Sequence, residues 1–125
     1  QFINTEVYPL SCLNSTTSSE TGKLLENSYR AVNIAFIEEW GRFAEDVGID
    51  LFEVINAIRQ RPTHSNIRQP GFGVGGYCLT KDPWFVHSLG KDFGLNLQTP
   101  VASRTANDLM PHYTFDCNLI YIISI

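Results

Sequence analysis

The chain has 125 residues, 43% of them hydrophobic and 18% charged, and carries a formal net charge of −4. That length supports one domain with its own core and leaves little room for a second. Because no block of like charge and no Lys/Arg stripe occurs, the composition argues against binding to nucleic acid or to an anionic membrane. No apolar run approaches the roughly 20 residues that span a bilayer, and no signal peptide is evident, so we expect a cytoplasmic protein.

The spacing of cysteines and histidines argues against two further classes of protein. Cys12, Cys78 and Cys117 are an odd number at wide spacing, which fits neither a disulfide framework nor a Cys-x-x-Cys metal knuckle. The three histidines also lack the paired spacing of a zinc site, so we expect no metal. A functional cysteine in this chain must therefore act as a single thiol.

The first part of the chain predicts an irregular start and a long helix. Within residues 1–16, the short apolar stretches Phe2–Ile3 and Val7–Tyr8 are consistent with the end of a strand from a preceding segment. Thr17 and Glu20 have the spacing of a capping box, which predicts the start of a helix that continues to about residue 47. Its apolar residues recur at three- and four-residue intervals, which predicts one buried face: Leu24, Leu25, Ala31, Ile34, Ala35, Phe36, Trp40, Phe43, Ala44 and Val47.

The middle of the chain predicts a short helix and a long loop. Gly48 is expected to end the long helix, and Asp50 with Glu53 forms a second capping-box pattern for a helix that reaches about Gln60. A loop of about twenty residues follows, and loops of that length are uncommon without a function.

The last part of the chain predicts two more helices and a strand. Asp82 is expected to cap a third helix that ends near Asp92. A fourth helix should start at Thr99-Pro100 and stop or kink near Met110-Pro111. The apolar and β-branched run at residues 119–123 is consistent with a buried strand.

A glycine pattern in the long loop imitates a dinucleotide-binding fingerprint. Gly71, Gly73 and Gly76 satisfy G-x-G-x-x-G, but that pattern has its meaning only between a strand and a helix of a βαβ unit. Here Pro70 precedes the glycines, and the next helix is expected only near Asp82. We therefore interpret the glycines as serving another need of the backbone.

The same loop carries the most informative cysteine. Four glycines between residues 71 and 76 allow positive φ and close approach of a ligand, and we expect them to leave several N–H groups free to donate. Cys78 lies at the end of the loop, near Lys81 and a predicted helix N-terminus, and cations and helix N-termini activate thiols. A lone cysteine is nevertheless more often a small buried hydrophobe.

A second polar pair lies near the start of the long helix. Lys23 and Asn27 are four residues apart and therefore share one helix face. Asparagine is unfavourable inside a helix, which suggests that Asn27 has a binding partner. The alternative is a solvated face on which Lys23 pairs with Glu20 or Glu26.

Two separated strings carry a family resemblance: K-L-L-E-N-S-Y-R-A-V-N-I-A-F, from Lys23, and N-I-R-Q-P-G-F-G-V-G-G-Y-C-L-T-K-D-P-W-F, from Asn66. Through them, residues 17–113 resemble the UDP-glucose/GDP-mannose dehydrogenase family. The resemblance implies a mainly α fold, with one long and several shorter helices, which is the family's central helical domain and forms a homodimer through the long helix. Residues 1–16 would then be the tail of an upstream NAD-binding domain or a linker, and residues 114–125 a truncated or altered tail.

The resemblance also implies a reaction and the residues that perform it. The family oxidises a sugar primary alcohol to a carboxylate in two NAD-dependent hydride transfers, through a cysteine thiohemiacetal and thioester. By position, Cys78 matches the nucleophile, and Asp82 matches the aspartate that assists proton transfer and thioester hydrolysis. Lys23 and Asn27 match the oxyanion group, and Lys81 matches a lysine near the cofactor. The residues expected against the nucleotide sugar are Gly73, Gly75, Gly76, Tyr77 and Arg68.

Details of the two strings favour one branch of the family. They resemble UDP-N-acetylmannosamine and related UDP-N-acetylhexosamine dehydrogenases more than UDP-glucose dehydrogenases, although C-L-T-K-D is similar to the latter. Glu38 stands where many members have Asn, and His64 lies near a position where this branch often has a substrate-binding arginine. Arg59, Arg61 or Arg68 is left as a candidate for that role.

The absence of a βαβ unit limits what the chain is expected to do alone. Without a Rossmann domain it should not hold NAD by itself, so we expect a part of a dehydrogenase that is inactive alone. Two alternatives remain open: a helical dimerisation module without chemistry, and a thiol sensor that uses Cys78. The sensor is disfavoured because no resolving cysteine lies close in sequence.

Overall fold

The computed structural model describes residues 3–123, with side chains described through residue 117, and this part of the chain is helical without a β-strand. The mainly α class predicted from the sequence is confirmed. No helix in the described range is long and apolar enough to cross a membrane. The helices are α1 Thr16–Val47, α2 Leu51–Ile58, α3 Asp82–Asp92 and α4 Gln98–Ile123, with a single 3₁₀ turn at Pro62–His64.

The long helix α1 spans 32 residues, or about 48 Å at the usual rise of 1.5 Å per residue. Its cap is Ser15 and not the predicted Thr17, because the Ser15 hydroxyl accepts a hydrogen bond from the Ser18 N–H at 3.1 Å. Gly48 ends the helix as predicted, with a left-handed φ of 73°.

The inward face of α1 is built from small residues. Ala31, Ala35 and Ala44 are buried, and α3 and α4 pack along this side. Small side chains let neighbouring helices approach closely, which explains why most of the larger apolar residues lie elsewhere, with the buried Ile37 as an exception. The predicted buried face is therefore confirmed for these three alanines but wrong for four larger members, about half of whose surface is exposed: Phe36, Trp40, Phe43 and Val47.

The short helix α2 closes the core at one end of α1. Asp50 caps it as predicted, accepting a hydrogen bond from the Phe52 N–H at 2.9 Å. Ile55 is 1% exposed and packs in one cluster with Leu51 and Ile37. This cluster fixes α2, after which the long loop begins, against α1.

The third helix has the predicted range but not the predicted cap. Asp82 is its first residue, Lys81 occupies the cap position, and no side chain there accepts a hydrogen bond from the helix. The carboxylate of Asp82 is instead turned towards α1, where it meets two stronger partners.

The fourth helix continues through Pro111 and reaches Ile123, so of the predicted stop or kink the stop is wrong, and the predicted strand at residues 119–123 is wrong as well. A proline removes one helical hydrogen bond without necessarily ending the helix. A short apolar run is equally compatible with a buried helix and with a buried strand. At the other end of the chain, residues 3–15 form turns and bends and not the predicted strand, while Phe2 lies outside the described residues.

Candidate active site

Helices α1 and α3 bring three of the predicted site residues into one polar cluster. Oδ2 of Asp82 lies 2.6 Å from Nζ of Lys23 and 2.6 Å from Nδ2 of Asn27. Asp82 is 1% exposed, whereas the Lys23 side chain remains 55% exposed. Because Lys23 and Asn27 are one helical turn apart, both reach the same oxygen. Lys23 therefore pairs with Asp82, and not with Glu20 or Glu26.

Electrostatics keep this cluster charged. The hydrogen bond from Lys23 is the main cause that holds the pKa of Asp82 below its ordinary value of 3.8, with burial opposing it and Asn27 and Lys81 assisting. The same hydrogen bond raises the pKa of Lys23 above 10.5, against desolvation, and a Cys78 thiolate adds to that rise. Lys23 and Asp82 thus form an ion pair at neutral pH, within electrostatic reach of the Cys78 sulfur.

Two buried side chains hold the first half of the glycine loop. Oε1 of Glu38 accepts hydrogen bonds from the N–H groups of Gly71 at 3.0 Å and Gly73 at 3.1 Å. Oδ1 of Asn107 accepts from the Val74 N–H at 3.0 Å. The expectation that N–H groups of this loop are free to donate is therefore wrong for its first half. The same geometry supports the rejection of a dinucleotide fingerprint, since a carboxylate already uses these donors.

Gly73 lies against α4 where no other residue fits. Its φ is 78°, and a Cβ there would lie 3.0 Å from Cβ of Met110 and 3.1 Å from the carbonyl oxygen of Asn107. In a regular helix that carbonyl would bond to the N–H of residue 111, which is a proline and has none. Both the backbone angle and the close approach therefore require glycine.

The second half of the loop is open to solvent. For the N–H groups of residues 75–78, the described part of the chain offers no hydrogen-bond acceptor. All four residues are exposed, including Cys78, which argues against a small buried hydrophobe. The Cys78 carbonyl accepts from the N–H groups of Lys81 at 3.2 Å and Asp82 at 2.9 Å. Cys78 thus begins the turn that leads into α3.

Arg104 ties the two ends of this open segment to α4. Its Nη1 donates to the carbonyl oxygens of Val74 and Leu79, both at 3.1 Å, and its Nη2 pairs with Asp108. The residue is only 2% exposed. Because Leu79 follows Cys78 directly, the guanidinium fixes the backbone beside the candidate nucleophile.

The remaining predicted site residues lie around this centre. Nζ of Lys81 is 3.6 Å from the ring centroid of Tyr77, which is 80% exposed. Arg68 lines a separate cleft with Asn66 and residues of α1. Arg59 is committed to the loop, since its Nη2 donates to the Ile67 carbonyl at 2.6 Å. The roles assigned to Lys81, Tyr77 and Arg68 stay predictions.

Neither of two larger cavities contains Cys78. An apolar groove of about 530 Å³ runs between α1 and α3, and the Ser28 hydroxyl is buried there without a hydrogen-bond partner. A more polar cavity of about 300 Å³ lies under the loop and is lined by Glu38 and Tyr113. The candidate site is therefore an open surface at the loop, and not a closed pocket of this chain.

The residues that hold the loop were not recognised from the sequence. In the sequence Glu38 stands out only as a departure from a family pattern, and Arg104 and Asn107 do not stand out at all. The available signal was modest: Arg104 and Asn107 are three residues apart on a helix face that also carries Ala106 and Met110. Polar residues on an apolar helix face usually have buried partners.

Comparison with known proteins adds the family. Residues 17–109 match the central domain of the UDP-glucose/GDP-mannose dehydrogenase family. The chain belongs to this family. The resemblance seen in the sequence is confirmed, and the four helices are those of a family central domain.

Similar proteins come from several organisms. An NDP-N-acetyl-D-galactosaminuronic acid dehydrogenase of Ralstonia solanacearum is 38% identical over 79% of this chain and 22% of its own length. A UDP-N-acetyl-D-mannosamine dehydrogenase of Salmonella typhi is 38% identical over 83% of this chain and 24% of its own length. The solved UDP-N-acetyl-mannosamine dehydrogenase of Staphylococcus aureus matches with a TM-score of 0.72 and 33% identity, over 89% of this chain and 24% of its own. The chain thus spans about a quarter of the length of these relatives.

Proposed function

We propose that this chain supplies the catalytic cysteine and its polar cluster to a nucleotide-sugar 6-dehydrogenase, which oxidises the C6 alcohol of a UDP-sugar to a uronate for polysaccharide precursor synthesis. The observation that carries the proposal is the exposed Cys78 within electrostatic reach of the Lys23–Asp82 ion pair, in a chain that belongs to this family. A working thiolate needs reducing surroundings, so we assign the reaction to the cytoplasm.

Covalent catalysis begins once the sugar alcohol has lost a hydride and a proton to become an aldehyde. The Cys78 thiolate adds to the aldehyde carbon, a C–S bond forms, and the carbonyl electron pair moves to oxygen. The ammonium of Lys23 and the amide of Asn27 are the donors that stabilise this oxyanion. A thiohemiacetal results, whose carbon carries the hydride needed for the second oxidation.

Hydrolysis completes the proposed cycle. Loss of the second hydride leaves a thioester on Cys78, and water attacks its carbonyl carbon. A C–O bond forms, the C–S bond breaks, and the carboxylate leaves while the thiolate is restored. Asp82, whose pKa is held low by Lys23, orients this water, and the two protons that the water gives up pass to solvent.

NAD is the hydride acceptor that both oxidations require. The glycine loop is a poor fit for its pyrophosphate, because Glu38 already accepts from the N–H groups of Gly71 and Gly73. We therefore assign NAD to a nucleotide-binding domain beyond these 125 residues, with Lys81 as this chain's residue nearest to the cofactor. Residues 1–125 alone would be inactive.

The sugar is proposed to be N-acetylated. The relatives compared above act, by their names, on N-acetylmannosamine or N-acetylgalactosaminuronic acid nucleotides. The exposed N–H groups of residues 75–78 and the ring of Tyr77 are the donors and the apolar surface offered to such a sugar. Arg68 is proposed to contact its phosphates.

The test is made in the complete dehydrogenase polypeptide that carries these residues. Cys78→Ala should abolish formation of the uronate from UDP-N-acetylmannosamine, and with it the second NADH of each cycle, while UDP-sugar binding persists, because only the covalent step is lost. Cys12→Ala, which removes another exposed thiol, is the matched control and should leave the rate unchanged.

The outcomes separate the competing functions. Normal turnover by Cys78→Ala would show the mechanism to be wrong. A wild-type enzyme that forms no NADH with any UDP- or GDP-sugar of a panel would instead support the non-catalytic dimerisation module. Activity with UDP-glucose alone would correct the proposed branch of substrate.

We also propose that the outward face of α1 forms a homodimer. Phe36, Trp40 and Phe43 contact one another along it in tilted and edge-to-face arrangements, with ring centroids 6.2 Å and 5.6 Å apart, and each is about half exposed. A contiguous exposed aromatic surface of this kind is typical of an interface.

Sedimentation of the chain at several concentrations tests the dimer. Trp40→Glu should shift the mass to that of a monomer, because a charge would be buried at the interface. Trp84→Glu, which changes an exposed tryptophan on α3, should leave a dimer. A wild-type monomer at all concentrations would refute the proposal.

A further inference from the structure

Three buried polar side chains hold the loop that ends in Cys78, and none of them takes part in the reaction steps proposed for the cluster. We propose that Glu38, Asn107 and Arg104, called here the loop clamp, are positioning residues that set the place of Cys78 relative to Lys23 and Asp82. The catalytic consequence rests on the proposed function. The existence of the clamp does not, because it can be measured separately by hydrogen exchange.

Glu38 directs its charge at the loop. It is 3% exposed, and its hydrogen-bond partners are the backbone N–H groups of Gly71 and Gly73. A buried carboxylate is costly unless it is hydrogen-bonded, and bonds to an ionised acceptor are stronger than neutral ones. The loop therefore gains a charge-assisted attachment at two of the glycines that lead towards Cys78.

Asn107 and Arg104 extend the attachment to α4. Nδ2 of Asn107 donates to the carbonyl of Ala31 on α1 at 3.2 Å and to the carbonyl of Ser103 at 2.8 Å, which fixes the direction of its Oδ1 towards Val74. Arg104 adds a second attachment at Leu79, beyond Cys78. The open segment is thus held at both of its ends.

Helix α1 connects the clamp to the catalytic cluster. Glu38 lies on α1, as do Lys23 and Asn27, and Arg104 lies on the helix that packs along it. A rigid helix transmits position over its length, so fixing the loop to α1 fixes the cysteine relative to the donors. A displacement of about 1 Å at a reacting group can lower a rate by about 100-fold.

Amide hydrogen exchange of the chain, followed by NMR, tests the clamp without reference to catalysis. In Glu38→Ala, the N–H groups of Gly71 and Gly73 should exchange at least about tenfold faster, while that of Val74 stays protected. In Asn107→Ala the Val74 N–H alone should exchange faster, while those of Gly71 and Gly73 stay protected. Glu39→Ala, which removes the neighbouring exposed carboxylate, is the control and should change none of the three.

Kinetics of the complete enzyme test the positioning role. Glu38→Ala should lower kcat by about 10- to 100-fold with KM nearly unchanged. The substrate would still bind, but Cys78 would no longer be held in the position that the reaction needs. Glu38→Gln should recover part of kcat, because its Oε1 can still accept from both Gly71 and Gly73, although the second bond from Gly71, to Oε2, is lost. Glu39→Ala should again match the wild type.

Each result decides something. Unchanged protection of Gly71 and Gly73 in Glu38→Ala, or of Val74 in Asn107→Ala, would overturn the clamp, and the second variant serves if the first fails to fold. Lost protection together with a normal kcat would overturn the positioning role alone. A wild-type enzyme without any dehydrogenase activity would refute the proposed function, while hydrogen exchange would still decide whether the clamp exists.

Discussion

A series of three glycine-to-alanine variants tests the loop geometry by separating backbone strain from steric contact. Gly75 has neither a positive φ nor an atom within 4 Å of an added Cβ, so Gly75→Ala should change the free energy of unfolding by less than about 0.5 kcal/mol. Gly76 has a φ of 86° but open space, so Gly76→Ala should cost the strain alone, about 1–2 kcal/mol.

Gly73→Ala should cost more than either. The φ of 78° brings the same strain, and a Cβ 3.0 Å from Cβ of Met110 adds an overpacking cost of about 1–3 kcal/mol. The sum is about 2–5 kcal/mol. Urea unfolding of the chain, with unchanged m values, measures each difference. If Gly73→Ala were no more destabilising than Gly76→Ala, the loop would not lie against α4 in solution.

The remaining predictions concern the cluster, the core and a cap. The contribution of Asp82 to stability is present above pH 3.8 and lost as pH falls through its lower folded pKa, so Asp82→Asn should flatten the acid limb of a stability–pH curve measured by urea unfolding. The contribution of Lys23 is present below pH 10.5 and lost as pH rises through its higher folded pKa, so Lys23→Met should flatten the alkaline limb, and an unchanged limb would contradict the ion pair. Ile55→Ala should lower the free energy of unfolding by about 2–5 kcal/mol in the same assay, and a loss below about 1 kcal/mol would contradict its burial. Asp50→Ala should remove a helix cap worth about 1 kcal/mol, whereas substitution of the exposed Glu53 by Gln should be nearly neutral.

The parts of the fold that follow from local chemistry were predictable. Gly48 and Asp50 mark helix ends because their own backbone or side chain satisfies the terminal groups, which needs no knowledge of the tertiary structure. Which face of α1 is buried was harder to predict from the sequence. The apolar periodicity groups Ala35 with Phe36 and Trp40, and it does not indicate which of them faces α4. The continuation of α4 through Pro111 was not predictable either, because it also depends on tertiary packing. The contacts of α4 with α1 stabilise the helix by more than the one missing hydrogen bond costs.

The parts of the site that depend on distant pairing were only partly predictable. Lys23 and Asn27 were identified as neighbours on one face, but their shared partner lies 59 and 55 residues further along the chain. Asp82 itself was expected to cap α3, as its position suggests. A capping bond joins the carboxylate to a neutral N–H, whereas the bond to Lys23 joins two full charges, and the tertiary partner therefore prevails.

The glycine loop shows why a motif alone does not define a ligand. Closely spaced glycines turn several N–H groups in one direction, and such a group of donors attracts an anion whatever its source. In a dinucleotide-binding fold the anion is a pyrophosphate that comes with the cofactor. Here it is the carboxylate of Glu38, which lies 33 residues before Gly71 and is covalently part of the protein. The same backbone chemistry that binds a ligand in one context thus fixes a loop in another, and the buried acid distinguishes the two.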